Sequence, residues 1–377
     1  MACVLTIGAG LMLTGLRSLL ITDVGMNIEP VAAARVNLPP AAYQDAAARS
    51  RFVRSALDRL RALPGITDAA AINTLPLARE SGILLRVDPE GVTDRATTES
   101  RHAAPFLVVS PGYFRTMGIP LLLGRDLAWT DGAAVKVAVI NRTLAQRLWP
   151  GEDAIGKRFL FMDLRTVVGV VADARISDLG AAVEPQVYLP IHEQPQNYVS
   201  LVARRSDAAE VSILPAQIRD AVRAVDPGLP TYAAEPMEAL VAEALAPRRI
   251  NTILISVFGA VAVGLAAIGV YGVLACSVAR RTRELGVRVA LGAQRHEIVG
   301  LVIRQGVGLV AAGIAIGVAA ALLTTRHLEG MLYGVMPRDP GTFAAVALLL
   351  AAMGAVASFI PARRAAGADP LTAIRVE

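Results

Sequence analysis

The stretch nearest to a recognisable chemistry is Gly151-Glu152-Asp153-Ala154-Ile155-Gly156-Lys157-Arg158. It almost spells a phosphate-cradling loop, in which glycines bare backbone N–H groups and a lysine meets the phosphate charge. Such a loop needs Ser or Thr after the lysine to hold magnesium, and Arg158 stands there instead. It also joins a strand to a helix, whereas Trp149-Pro150 precedes this stretch and Phe159-Leu160-Phe161 follows with strand character. The expectation is a Pro-Gly turn entering a strand. The four histidines, His102, His192, His296 and His327, are far apart and lack metal-ligand spacing. No GxSxG nucleophile elbow occurs. The chain is therefore expected to be no enzyme, with no catalytic residue, no metal and no cofactor.

The elements that could carry another kind of work are apolar. Of 377 residues, 54% are hydrophobic and mean hydropathy is +0.50, yet only 5% are aromatic and 18% charged. The excess is Ala, Val, Leu, Ile and Gly, gathered at the ends of the chain. The net charge of +5 is almost all arginine, since Lys136 and Lys157 are the only lysines. No interleaved aromatic and basic pattern accompanies it, so nucleic acid is not an expected partner. Cys3 and Cys276 both lie in apolar runs, as small membrane-buried side chains do. The central region has no cysteine and needs no disulfide.

A membrane span takes about 20 apolar residues. Asn251–Val278, Gln305–Thr325 and Thr342–Ala362 qualify, and none contains Asp, Glu or Lys. An ion or proton relay through them would have no carrier. The N-terminal run Met1–Leu16 is apolar but short. It lacks the basic leader and clear cleavage site of a signal peptide. Arg17–Leu20 can extend it by snorkelling, so residues 1–21 are read as a first membrane helix, truncated at its start. Gly313 and Gly317 form a GxxxG pair, and Gly259, Gly264, Gly269 and Gly272 line the second span, which permits close helix approach or a subunit contact.

Arginine in the short loops sets the orientation. Arg280, Arg281, Arg283, Arg288 and Arg295 crowd the loop 279–297, and Arg363, Arg364 and Arg375 the tail. The loop between the last two spans has only Arg326 and Arg338. Loop and tail are thus cytoplasmic, and residues 22–249 lie outside the cell membrane as one long insertion after the first helix. That insertion alternates strand and helix signals. Arg51–Leu63 carries Phe52, Val53, Ala56, Leu57 and Leu60 at helical spacing and stops at Pro64-Gly65. A short helix over Pro111–Met117 is expected after a Ser110 cap, and another from an Asn141 cap to Leu148. A helix over Ala208–Val225 is expected to stop at Pro227-Gly228, and Pro236–Leu245 to lead helically into the membrane. Strands are expected at Val36–Leu38, Val135–Ile140, Thr166–Val171, Gln186–Leu189 and Val199–Ala203. The predicted fold is four transmembrane helices with an α+β extracytoplasmic domain, of two lobes, inserted after the first.

The cytoplasmic loop is patterned. Leu285, Val289 and the Ala293 region recur every fourth residue, arginines supply a basic surface, and Gly292 suits a helix end. Such an amphipathic helix could rest in the headgroups or be the element a cytoplasmic partner pushes. Arg283-Glu284-Leu285-Gly286-Val287-Arg288-Val289-Ala290-Leu291-Gly292-Ala293 resembles the signature of FtsX-like, MacB-type ABC transporter permeases. So does the tail Pro361-Ala362-Arg363-Arg364-Ala365-Ala366 with Asp369-Pro370-Leu371 and Ala373-Ile374-Arg375. Ser110-Pro111-Gly112-Tyr113-Phe114, Met117-Gly118-Ile119-Pro120, Gly124-Arg125, Val139-Ile140-Asn141 and Trp149-Pro150-Gly151 resemble the family's periplasmic core domain. The likeness is greatest to the C-terminal half of duplicated permeases.

The resemblance implies a multi-pass protein of the inner membrane that moves with a cytoplasmic ABC ATPase and a second permease copy or half. It implies efflux or mechanotransmission, with Arg283, Glu284, Gly286, Arg288, Leu291 and Gly292 as the ATPase-coupling residues. It further implies residues 250–377 as the permease module, with helices at about 251–278, 305–325 and 342–362. The alternative is a membrane-anchored extracytoplasmic binding or scaffold protein without energy coupling.

Overall fold

A computed structural model describes residues 1–77, 83–91, 103–132, 135–177, 179–180, 182–281, 284, 294–324 and 339–366. Two units are distinct: residues 22–246, and residues 1–21 with 247–377.

The first unit is built on one mixed sheet. Its order is β12-β1-β11-β2-β5-β10-β7-β9-β8-β4, with β3 (Leu84–Arg86) pairing β5 and β6 (Leu121–Gly124) pairing β9. The path strands are β1 (Val31–Asn37), β2 (Ile66–Ile72), β4 (Asp88–Pro89), β5 (Ala103–Val109), β7 (Val137–Asn141), β8 (Arg158–Phe161), β9 (Asp163–Val171), β10 (Val187–Pro190), β11 (Tyr198–Arg205) and β12 (Thr231–Pro236). Most neighbours are antiparallel; β5–β10 and β7–β9 are parallel. Alternate residues face opposite sides of a strand. In β1, Ala32, Ala34 and Val36 join one buried cluster with α2 (Ala46–Arg61) and α5 (Leu214–Val225), while Val31 and Ala33 face a second with α3 (Tyr113–Met117). A third cluster packs α4 (Arg142–Leu148) against β7, β9 and β10. The two expected lobes therefore share one continuous sheet, α2 and α5 backing one half and α4 the other.

Local chemistry explains the helix ends. The apolar stripe Phe52, Val53, Ala56, Leu57 and Leu60 is buried, and the Asp45 carboxylate caps α2 by accepting the Ala48 N–H. Asn141 caps α4 as expected, accepting from Leu144 N at 3.0 Å. Ser110 does not cap α3. The helix starts at Tyr113 behind Gly112, whose φ of 88° only glycine adopts freely, and Ser110 Oγ instead accepts the Ala71 N–H at 2.9 Å. The span 208–225 is not one α-helix either. It opens as a 3-10 turn, Ala208–Ile213, because Pro215 has no N–H to continue a ladder and fits only a first helical turn.

The second unit holds α1 (Ala2–Leu20), α6 (Met237–Arg280, from Pro247 on), α7 (Arg295–Thr324) and α8 (Pro340–Ala366). Each contains a stretch long and apolar enough to cross a membrane: Ala2–Leu20, Leu245–Arg280, Val299–Thr324 and Pro340–Pro361. α1 runs through Arg17–Leu20, and it is the most buried of the four; α6 is the least. Cys3, Ile7, Leu11 and Met12 of α1 pack on Ala321 of α7 and Val346 and Leu350 of α8. Of the GxxxG pair, Gly317 meets Cys3 so closely that a Cβ would collide, whereas a Cβ at Gly313 would meet none of the described residues, so among these the pair is half an intrachain contact. Gly306 sits likewise against Ser358.

Candidate functional site

Of the six coupling residues, Arg283, Gly286, Arg288, Leu291 and Gly292 lie outside the described residues, and Glu284 is helical and exposed. The flanks are described: α6 ends at Arg280, and α7 begins at Arg295 after Gln294, whose N–H is accepted by Glu297 at 3.1 Å. The start of the tail motif, Pro361–Ala366, continues α8 as helix, and residues after 366 lie outside the described set. α6 itself is one helix of 44 residues from the end of β12 to the arginine-rich loop, with Pro247 inside it. Its first turns belong to the sheet domain, where Met237 is fully buried and Leu240 packs beside it.

In the sheet domain the family-like motifs converge. Tyr113 and Phe114 pack with Tyr188 at ring separations of 6.3 and 4.9 Å. Gly112 N donates to Asp126 Oδ2 at 3.0 Å, tying α3 to the loop after β6. Asp68, almost fully buried on β2, is flanked by Arg61 at 3.7 Å and bonded by Arg115, which joins α2, β2 and α3. Arg204 donates to the Thr116 carbonyl at 2.7 Å and to the Asn27 carbonyl. Sequence reading missed this charge cluster. Its one local signal is a charged residue, Asp68, inside the mostly apolar strand Ile66–Ile72.

The phosphate-loop look-alike is committed to structure. Gly156 N donates to Val167 O at 2.9 Å, Ile155 N to Asp153 Oδ1 at 2.9 Å and Lys157 N to Ala154 O at 3.2 Å. Lys157 Nζ pairs with Glu152 and lies 5.6 Å from the Trp149 ring centre. Three of the backbone donors of this stretch and its lysine are thus engaged, Gly156 N by β9 and the others within the turn. Among the described residues, no group of three or more His, Cys, Asp or Glu could hold a metal.

Gly124-Arg125 opens a tight loop. Arg125 donates to both Asp131 oxygens at 2.8 and 2.7 Å, and Ala128 N adds a bond of 2.7 Å. The Arg125 fork, aided by Ala128 N and against the cost of burial, holds the Asp131 carboxylate below its ordinary range. A lowered folded-state value means the stabilisation is present above about pH 3.9, the unfolded value, and is lost as pH falls through the folded one. The melting temperature of the Asp131→Asn variant should accordingly vary less with pH below about 4 than that of the parent chain. Parallel pH curves would refute the assignment.

Four membrane-length helices, the first parted from the others by an α/β domain, define a multi-pass membrane protein with an inserted extracytoplasmic domain. The model of the MacB-like periplasmic core domain matches residues 1–225, and that of the FtsX-like permease C-terminal region matches residues 256–370. The chain belongs to this family of MacB-type, FtsX-like permeases, and its place is the inner membrane with residues between α1 and α6 on the outer side. Among curated relatives, the macrolide export ATP-binding/permease protein MacB of Rhodospirillum rubrum is 28% identical over 332 residues, 82% of this chain and 48% of that protein. The pyoverdine export ATP-binding/permease protein PvdT of Pseudomonas putida is 27% identical over 273 residues, 68% of this chain and 41% of that protein. The chain thus spans less than half the length of these relatives. Among solved structures, the periplasmic region of MacB from Actinobacillus actinomycetemcomitans aligns with 57% of this chain and 94% of its own, at 17% identity and a TM-score of 0.36.

Proposed function

We propose that this chain is the permease component of an ABC-type transporter and passes motion, driven by a cytoplasmic ATPase, to its extracytoplasmic domain. The observation that carries this is α6: one helix leads from the buried Met237 to Arg280 at the arginine-rich loop. A helix transmits displacement along its axis because its turns are tied by hydrogen bonds, of which Pro247 removes one in α6. In this reading residues 22–249 are the responding body, residues 250–377 are the permease module, and the loop 279–297 is the handle. Arg283, Glu284, Gly286, Arg288, Leu291 and Gly292 form the ATPase contact. ATP hydrolysis belongs to the partner, this chain having no enzymatic activity of its own, and a second permease copy or half completes the assembly in the bilayer. Relatives named for macrolide and pyoverdine export support an export role.

The test is an ATPase assay in proteoliposomes with the co-purifying ATPase. Replacing Arg283 and Glu284 together by alanine should cut stimulation by this chain at least tenfold while leaving the partner's basal rate intact. Undiminished stimulation would instead favour the uncoupled scaffold.

A further inference from the structure

The strand that leads into α6 carries one residue more than its neighbour can pair. β12 ends the sheet, and among the described residues its strand partner is β1. Val36 pairs with Thr231 and Arg35 with Tyr232, but the next pairs are Ala33 with Glu235 and Ala32 with Pro236. Ala233 and Ala234 therefore both stand against Ala34, as a β-bulge. Ala233 has a φ of 45°. A Cβ makes that conformation costly, whereas glycine would hold such a bulge freely.

The register beyond the bulge places the start of α6. Residues paired across two strands share a face, so Glu235 stands on the side of Ala33, and Met237, two residues on, returns to that side. Met237 is fully buried there, in the cluster that holds Ala33, with Leu240 packed beside it. Ala234 packs on the opposite cluster, with Ala34. Drawing out the bulge advances the chain from Ala233 onward by one place along β1. Ala233 then pairs with Ala34 and takes the site of Ala234, methyl for methyl, and its backbone becomes extended. Ala234 comes to pair with Ala33, Glu235 with Ala32 and Pro236 with Val31. The start of α6 moves by one strand residue, about 3.3 Å, without unpairing the strands. Against the relief at Ala233 stand the withdrawal of Met237 and Leu240 from their cluster and the turning of Glu235 to the other face. Those losses outweigh one left-handed alanine, so the bulged register holds at rest and a pull along α6 is needed to draw it out.

We infer that the bulge is a one-residue slack through which β12 yields when α6 is pulled, so that the helix travels while staying joined to the sheet. The inference rests on the coupling reading. In the full chain with Cys3 and Cys276 replaced by Ser, the pair Ala33→Cys with Glu235→Cys reports the bulged register. Ala33→Cys with Ala234→Cys reports the drawn-out one, since these two positions lie on opposite faces until the bulge is gone. Mass spectrometry of the digested chain gives the rate of disulfide capture. Both pairs should form, the second at least tenfold more slowly. Ala233→Val, which resists positive φ, should raise capture of the second pair at least threefold, and Ala233→Gly, which accepts it, should lower capture at least threefold. Deleting Ala233 removes the slack and leaves Met237 in place. The first pair should then still form and the second not at all. Stimulation of the co-purifying ATPase should fall at least fivefold although the domain melts no lower. If the first pair is lost, the deletion has misfolded the strand, and the order of valine, alanine and glycine decides. No capture of the second pair in the parent chain, or equal capture in all three, overturns the inference. So does a folded deletion variant that stimulates in full. Where the Arg283 and Glu284 double variant has lost stimulation, that result removes the slack and spares the coupling reading; undiminished stimulation in the double variant removes both.

Discussion

Replacing Asn141 by leucine should destabilise the extracytoplasmic domain by about 3–5 kcal/mol, because an amide with every hydrogen-bonding capacity used leaves several buried groups unpaired when it is lost. The side chain is fully buried. Its Oδ1 accepts from Leu144 N at 3.0 Å and from Gln186 N at 2.9 Å, and its Nδ2 donates to Asp173 Oδ1 at 2.8 Å and to Glu184 O at 3.0 Å. Two donors and two acceptor positions are all an asparagine has. One residue thus starts α4, fixes the entry of β10 and holds the loop after β9. Asp173 keeps the Thr143 N–H at 2.9 Å, so its carboxylate is not stranded. The protein's two tryptophans, Trp129 and Trp149, both lie in this domain, so their fluorescence in denaturant reports its unfolding. A loss below about 1 kcal/mol, the worth of one ordinary hydrogen bond, would contradict the role.

Removing one partner of the Arg165–Glu193 pair should cost a similar amount. Arg165 on β9 is fully buried, and its Nη1 donates to Glu193 Oε2 at 3.0 Å and to Val137 O at 3.1 Å. The Glu193 side chain is 7% exposed. Arg165→Met leaves that carboxylate buried without its cation, an expected loss of about 3–5 kcal/mol. The double variant Arg165→Met with Glu193→Met should recover more than half of it, because an apolar pair of similar volume has no desolvation cost to offset. The same fluorescence measurement checks this; equal losses in single and double variants would mean that packing, not charge, is what Arg165 supplies.

Legibility followed the range of each interaction. The stripe Phe52, Val53, Ala56, Leu57 and Leu60 was readable, since helical periodicity is written within 16 residues. The Asn141 cap was readable too, because its partner is three residues on. Its other three bonds were not: they reach 32, 43 and 45 residues ahead, across strands whose pairing no local pattern reveals. Ser110 shows the reverse. It has the side chain of a cap, but the strand Ile66–Ile72 passes close enough for Ala71 N to take its hydroxyl, and Gly112 turns the chain instead. The charge cluster around Asp68 and the burial of Arg165 likewise depend on which strands became neighbours.

The membrane plan needed no tertiary information. About 20 consecutive apolar residues must leave water wherever the rest of the chain goes, and arginine excess in short loops fixes which side each end faces. The sequence by itself therefore determined the spans, their orientation and the insertion of a folded domain after the first. Only the tertiary structure decided that the inserted strands form one sheet, that Gly317 serves α1 while Gly313 meets none of the described residues, and that three helices leave an apolar groove between them. Transfer of a segment from water to lipid is a property of that segment, whereas packing is a property of pairs, and pairs distant in sequence meet only in the folded chain.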